Sequence, residues 1–173
     1  MPRTARSRLA YYIGDIVYGA NDGIITTFAV VAAAAGAGVS ATIIIILGIA
    51  NLVADGFSMG ASAYLSMRSE QAVAAQGSEA HDRNPFADGV VTFVSFVIAG
   101  ALPLIPFFVP AAAENAFVVS SIATAAAFFV VGSARSLVIK KNAFVAGLEM
   151  LLVGGVAAAI AYALGSFVDT LIR

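Results

Sequence analysis

Acidic residues set inside stretches that otherwise read as lipid-soluble constrain this chain more than any other feature. Asp22 follows the opening of one long apolar run, Asp55 sits inside the next, and Glu149 inside the last. Apolar runs of about 20 residues are the length that crosses a bilayer as a helix. With 61% hydrophobic residues, 11% charged residues and a mean hydropathy of +0.96, the chain lacks the polar surface a soluble domain of its size requires. The expected class is therefore an all-α membrane protein. An ionised acid near the middle of a membrane helix costs about 2.5–3.5 kcal/mol on insertion scales. Such groups face a protein interior or an aqueous path and pair with each other or with a cation.

Five transmembrane helices are predicted, at about 9–35, 40–67, 85–109, 114–139 and 142–169, forming a single transmembrane domain over 1–173. Gly36-Ala37-Gly38 breaks the first from the second, and Ser40 is placed to cap the second. A short polar connector, 68–84, follows. Asn84-Pro85 reads as an N-cap with proline at the first helical position, and Pro103, Pro106 and Pro110 kink or end the third helix. Arg3, Arg6 and Arg8 ahead of an apolar run, with Ala33-Ala34-Ala35 beyond it, also fit a cleaved signal sequence. Asp15 and Asp22 would then fall in or beside its apolar core, so a retained first helix is expected. With the N-terminus inside, every one of the nine Lys and Arg except Arg173 lies on the cytoplasmic side, which gives an N-in, C-out orientation.

Several functions are excluded by what is scarce. The chain has no cysteine and a single histidine, His81, so thiolate and multi-histidine metal sites are ruled out. Its basic residues are too few and too scattered for a nucleic-acid surface.

The polar residues within the spans fall on consistent faces. Asp15 and Asp22 are seven apart on helix one; Asn51, Asp55 and Met59 follow at intervals of four on helix two. At about 1.5 Å per residue, Asp22 lies roughly 16–20 Å from the cytoplasmic end and Asp55 about 18 Å. The two helices are antiparallel, so these carboxylates are expected to meet near mid-membrane. Glu149, about 12 Å in, sits near the level of Met59. Carboxylates, an amide oxygen and a thioether suit a borderline divalent cation such as Mn²⁺ or Fe²⁺ better than Mg²⁺ or Ca²⁺. A carboxylate in a low-dielectric site also takes up a proton more readily than in water, so it can trade a proton for a cation.

Each feature also has a plainer reading. An intramembrane Asp, Asn21 or Asn51 can serve as an interhelical hydrogen-bond partner, Met59 as a gap filler, and Asp15 as a solvated group near the interface. Gly19-x-x-x-Gly23 and Gly56-x-x-x-Gly60 are close-packing faces, which suit either a helix crossing along a central path, within or between chains, or ordinary intrachain packing. Glu70, Glu79, His81 and Asp82 read as a solvated connector.

Two long segments carry a family resemblance. Asp15-Ile-Val-Tyr-Gly-Ala-Asn-Asp-Gly-Ile-Ile-Thr-Thr-Phe28 resembles the first-helix signature of the vacuolar iron transporter family. Gly48-Ile-Ala-Asn-Leu-Val-Ala-Asp-Gly-Phe-Ser-Met-Gly60, with Tyr64-Leu65-Ser66 and Ser69-Glu70, resembles its second. Gly132-Ser-Ala-Arg-Ser136 and the stretch 157–165 are similar as well. The resemblance implies a five-helix fold, a homodimer, and a metal path lined by helices one and two at the dimer interface. The activity it implies is proton-coupled movement of Fe²⁺, sometimes Mn²⁺, out of the cytosol across a vacuole-type or bacterial inner membrane.

Asp22 matches the family's first-helix acid and Met59 its second-helix methionine ligand. Asn51 stands where plant members have glutamate, and Asp55 supplies an acid where they have glycine, so either can be the contact to metal. Many members insert a glutamate-rich helical domain between helices two and three; only the short connector stands here. Metal and protons are then substrates, with membrane lipid around the chain and no permanently bound cofactor. The competing classes are an intramembrane aspartyl protease, with Asp22 and Asp55 as a dyad, and a non-transporting scaffold. No Gly-x-Gly-Asp motif accompanies either aspartate.

Overall fold

Backbone placed in lipid must satisfy its own hydrogen bonds, and each long apolar run here does so as a helix. The computed structural model describes residues 5–75, 83–139 and 142–172. The helices are α1 (Ala5–Gly36), α2 (Ala41–Ala74), α3 (Pro85–Gly100), α4 (Ala116–Ile139) and α5 (Ala143–Ile172), with 3-10 segments Leu102–Phe108 and Pro110–Asn115 between α3 and α4. No strand occurs among the described residues. Four spans are long and apolar enough to cross a membrane; α3 and the 3-10 segment after it, bent by 41° at their junction, make a fifth if counted together. Arg3, Glu79, His81, Asp82, Lys140, Lys141 and Arg173, which enter the charge and connector readings above, lie outside the described residues.

The turn after α1 is explained by Gly38, whose φ of 64° is open to glycine at no steric cost. Gly38 N–H bonds to Ala35 O at 3.0 Å and Val39 N–H to Ala34 O at 3.2 Å, the paired closure of a Schellman motif. Ser40 does occupy the N-cap of α2, but its hydroxyl makes no capping bond. Its backbone oxygen instead accepts from Ile43 and Ile44. α2 is also longer than the apolar pattern suggested, continuing past Met67 to Ala74. Glu70, Gln71, Ala72 and Ala74 are good helix formers, and at 34 residues the helix outruns the roughly 20 needed to span a bilayer.

Asn84 caps α3 as its residue type predicts. Its Oδ1 accepts from Phe86 N–H at 3.1 Å and Ala87 N–H at 3.4 Å, with Pro85 in the first helical turn. Removing that cap in Asn84→Ala is expected to cost about 1 kcal/mol. This should lower the unfolding midpoint of the detergent-purified protein by about 2–4 °C, as read by a thermal melt. An unchanged midpoint would mean that α3 is held by packing alone.

α1 is the centre of the bundle, packed against α2, α3, α4 and α5. α2 also packs along α3, and α4 packs on α5. Close approach is made by small residues. A Cβ on Gly19 would stand 2.6 Å from Thr92 O, one on Gly60 2.8 Å from Gly89 O, and one on Gly23 would strike the Phe96 carbonyl. Gly56 admits the rings of Phe93 and Phe96 and the Val97 side chain. Both glycine pairs thus pack on α3, within one chain.

Burial runs opposite to that of a soluble protein. Thr27, Thr92, Ser120, Thr124 and Asp88 are buried, whereas Ile46, Phe57, Ile98, Ile122 and Leu152 are among many large apolar residues facing outward. Water would penalise that outer surface at about 25 cal/mol per Å²; lipid would not.

Candidate functional site

At the end of the bundle where α1 begins and α2 finishes, the three helices α1, α2 and α3 diverge around a cavity of about 460 Å³. Its walls carry Asp15 and Tyr18 from α1, Met59 and Glu70 from α2, and Asp88 and Thr92 from α3. The spacings of the sequence account for much of this. Ser58, Ser62 and Ser66 recur every fourth residue and keep one strip of α2 polar. A second cavity, between α2 and α3, is lined chiefly by Phe57, Ala61, Phe86, Val90 and Phe93 and offers little to an ion.

Arg83, the second residue ahead of α3, ties the mouth of the polar cavity together. Its Nη2 donates both to Asp15 Oδ2 and, at 3.0 Å, to Asp88 Oδ1. Its backbone oxygen accepts from Gln71 Nε2 on α2. The Asp88 side chain is 3% exposed, and its Oδ2 is buried with no hydrogen-bond partner. Thr92, one turn on, donates to the Asp88 backbone oxygen at 2.8 Å. Asp88 was not singled out by the sequence reading, and Arg83 was counted there only as a positive charge. An acid in the first turn of a helix looks like an ordinary partner for the helix dipole. Only the chain's return over 68 residues, to Asp15, shows otherwise.

One turn beyond the cavity lie the mid-span acids. Asp22 is four residues past Tyr18, and Asp55 four residues from Met59, each about 6 Å further along its helix. Both are half-buried, and they lie at one level of the bundle, since the adjoining Gly23 and Gly56 both meet Phe96 of α3. Thr26 donates to the Asp22 backbone oxygen at 2.9 Å, which leaves the Asp22 carboxylate untouched by that hydroxyl. Asn51 follows one turn past Asp55, and its side-chain nitrogen is buried without a partner. Rotation of the amide would present its oxygen, a hard ligand, in the same place.

Glu149 is half-buried on α5, next to Met150, which packs in a cluster with Ile24 of α1. It does not line the polar cavity. Among the described residues no three His, Cys, Asp or Glu side chains converge tightly enough to enclose a metal ion. The arrangement within one copy is thus a chain of acids in sequence, Asp15 and Asp88 at the mouth and Asp22 with Asp55 deeper in.

These features define a class: a multi-pass integral membrane protein with an acid-lined cavity at one end of the bundle and two further carboxylates one turn beyond it. Comparison of sequences makes this more specific. The chain belongs to the VIT family, whose pattern matches residues 13–80 and 71–166. It is similar to vacuolar iron transporter 1 of Eucalyptus grandis, 24% identical over 216 residues and covering 91% of this chain and 87% of that protein. Vacuolar iron transporter 1 of Arabidopsis thaliana is 24% identical over 215 residues, covering 91% and 86%. A shorter stretch of 56 residues is 46% identical to the vacuolar iron transporter of Plasmodium falciparum, covering 32% of this chain and 20% of that one. The plant alignments span more positions than the 173 residues of this chain, so those relatives carry segments it lacks. The two pieces of the family pattern meet at residues 71–80, where the connector lies.

Proposed function

We propose that this protein moves a divalent transition metal ion, Fe²⁺ or Mn²⁺, out of the cytosol in exchange for protons, along a path lined by α1 and α2. The observation that carries this reading is the placement of Asp22 and Asp55 at one level inside the span, beside glycines that both meet Phe96, one turn beyond an acid-lined cavity. Two carboxylates held together in low dielectric repel, and a divalent cation or a proton relieves that repulsion. Alternation between the two is the elementary step of an antiporter. Met59, on the cavity wall, contributes a sulfur that favours a transition metal over Mg²⁺ or Ca²⁺. Asn51 and Glu149 are the further candidate ligands, with Asp15 at the entrance. Iron is supported by what the relatives are called; manganese is supported by the ligand chemistry alone.

In this reading the open end of the cavity faces the cytosol, as the N-in orientation requires, and the host is a vacuole-type or bacterial inner membrane. Neither the protease nor the scaffold reading has an observation that favours it. The test is uptake into proteoliposomes, with Fe²⁺ under anaerobic conditions and Mn²⁺ in parallel, and a pH dye inside. Saturable metal uptake with protons leaving the lumen is the expected result. No flux of either ion through correctly inserted protein would end this reading.

We infer in addition that the path is completed in a homodimer. Ser58 and Ser62 on α2 are exposed in the single chain, beside a half-buried Asp55. Both serines line the polar cavity, and where that cavity lies open beside α2, hydroxyls and a carboxylate exposed to hydrocarbon are costly; a second copy across that face would close it off from lipid. Because the chain has no cysteine, Ser58→Cys introduces a single reporter. Oxidation in membranes should convert it to a covalent dimer, seen on a non-reducing gel, while the exposed Val130→Cys on α4 remains monomeric. A Ser58→Cys chain that stays monomeric, or cross-links no better than Val130→Cys, would overturn the placement of the interface.

A further inference from the structure

Arg83 holds two carboxylates with one positive charge. Asp15 and Asp88 come from α1 and α3, meet on a single guanidinium nitrogen, and line the mouth of the polar cavity. One cation against two anions leaves an unbalanced negative charge in a place where charge is poorly solvated. The imbalance is visible at Asp88, whose second oxygen is buried and unpartnered although its side chain is only 3% exposed. A buried carboxylate oxygen without a partner is costly, so a ligand carrying two positive charges fits this site better than the arginine does.

We propose that Asp15 and Asp88 form an entrance site for the divalent ion, and that Arg83 is a built-in competing cation which occupies the site until metal displaces it. The inference rests on the metal-transport reading above. The pivot of the device is fixed. Gln71 of α2 holds the Arg83 backbone oxygen, and Asn84 anchors the next residue as the cap of α3, so the guanidinium swings while its main chain stays. Glu70, on the same cavity wall, provides an acidic partner for the displaced guanidinium. An entering dication satisfies both carboxylates and completes its shell with water and the oxygens of the wall. A monovalent ion only repeats the charge the arginine already supplies, so the latch selects for divalent charge before the deeper acids are reached.

A purely structural salt bridge between α1 and α3 makes a different prediction, because its loss can only loosen the site. A latch lowers the apparent affinity by the fraction of time it is open. If it is closed about nine-tenths of the time, removing it tightens metal binding about tenfold. The measurement is Mn²⁺ binding to the detergent-purified full chain, followed by the electron paramagnetic resonance signal of free Mn²⁺. An Asp22→Asn background keeps the deeper site from dominating. Arg83→Gln is expected to bind Mn²⁺ about tenfold more tightly than its parent, and adding Asp88→Asn should erase the gain.

Unchanged or weaker binding in a folded Arg83→Gln protein, or a gain that survives Asp88→Asn, overturns the proposal. If Arg83→Gln fails to fold, Asp88→Asn with Arg83 intact decides: weaker Mn²⁺ binding supports the entrance site, and unchanged binding overturns it. Transport by the wild-type chain is scored separately in proteoliposomes. A wild type that binds Mn²⁺ through Asp88 but moves no metal would sink the transport reading and leave the latch in place.

Discussion

Asp22→Asn should reduce metal uptake by at least about a hundredfold in kcat/KM, equivalent to about 2.7 kcal/mol, without impairing assembly of the bundle. The substitution keeps the size of the side chain and one oxygen ligand but removes the negative charge and the proton-accepting group. Asp55 would then face the ion alone, with one negative charge against two positive. Binding and coupling fail together, so both metal flux and counter-flow of protons should vanish in the liposome assay. The control is Glu114→Gln, an exposed acid in the 3-10 segment at the far end of the chain's spans, which should transport as the wild type does. Asp22→Asn protein that still exchanges metal for protons at wild-type rates would remove Asp22 from the mechanism and with it the central claim about the path.

What could be read from the sequence, and what could not, divides along physical lines. The start of α3 was legible because Asn84-Pro85 acts locally: the cap and the fixed φ of proline need no knowledge of the rest of the fold. The third helix, expected to reach about 109 with Pro103, Pro106 and Pro110 kinking or ending it, stops as α-helix at Gly100, with Pro103 and Pro106 both buried in the following 3-10 segment. The common level of Asp22 and Asp55 followed from helix rise and antiparallel direction, which are geometric constants, and the adjoining Gly23 and Gly56 both meet Phe96. Ser40 stands at the N-cap of α2 without its hydroxyl making a capping bond, a choice of side-chain rotamer that residue type does not dictate.

Partner identity was not legible. Periodicity shows that Gly19, Gly23, Gly56 and Gly60 share faces on their helices but not which neighbour those faces meet, and the neighbour is α3 for all four. Asp88 was invisible for a related reason. Its role depends on Arg83 and Asp15, and no local pattern announces a contact between the start of α1 and the start of α3. Asn51 was named from its spacing, and within the single chain its side-chain nitrogen is buried without a hydrogen-bond partner.

Gly23→Val is expected to have the largest effect on stability. At most helix positions replacing glycine with a larger residue helps, since glycine costs about 0.8–1.0 kcal/mol relative to alanine in a helix interior. At Gly23 packing reverses that sign. A Cβ there would run into the Phe96 carbonyl, with the Phe96 carbonyl carbon 3.0 Å and Cα 3.1 Å away, and on the other side of the same contact a Cβ on Gly100 would stand 2.7 Å from Gly23 O. All of these neighbours are main-chain atoms, so no side chain can rotate aside and α1 must move off α3. Overpacking costs about 1–3 kcal/mol, occasionally more, and a clash between two backbones belongs at the top of that range. Gly155, on α5, meets nothing within 4 Å and serves as the control. Gly155→Ala should hold or raise the unfolding midpoint in detergent, Gly23→Ala should lower it, and Gly23→Val should lower it further or prevent recovery of folded protein. Because Gly23 adjoins Asp22, separation of α1 from α3 would also turn the carboxylate away from Asp55. Gly23→Ala should therefore lose transport out of proportion to its loss of folded protein. If Gly23→Ala and Gly155→Ala melt alike, the α1–α3 contact does not set the position of Asp22, and the orientation of the acid must come from its own side of the bundle.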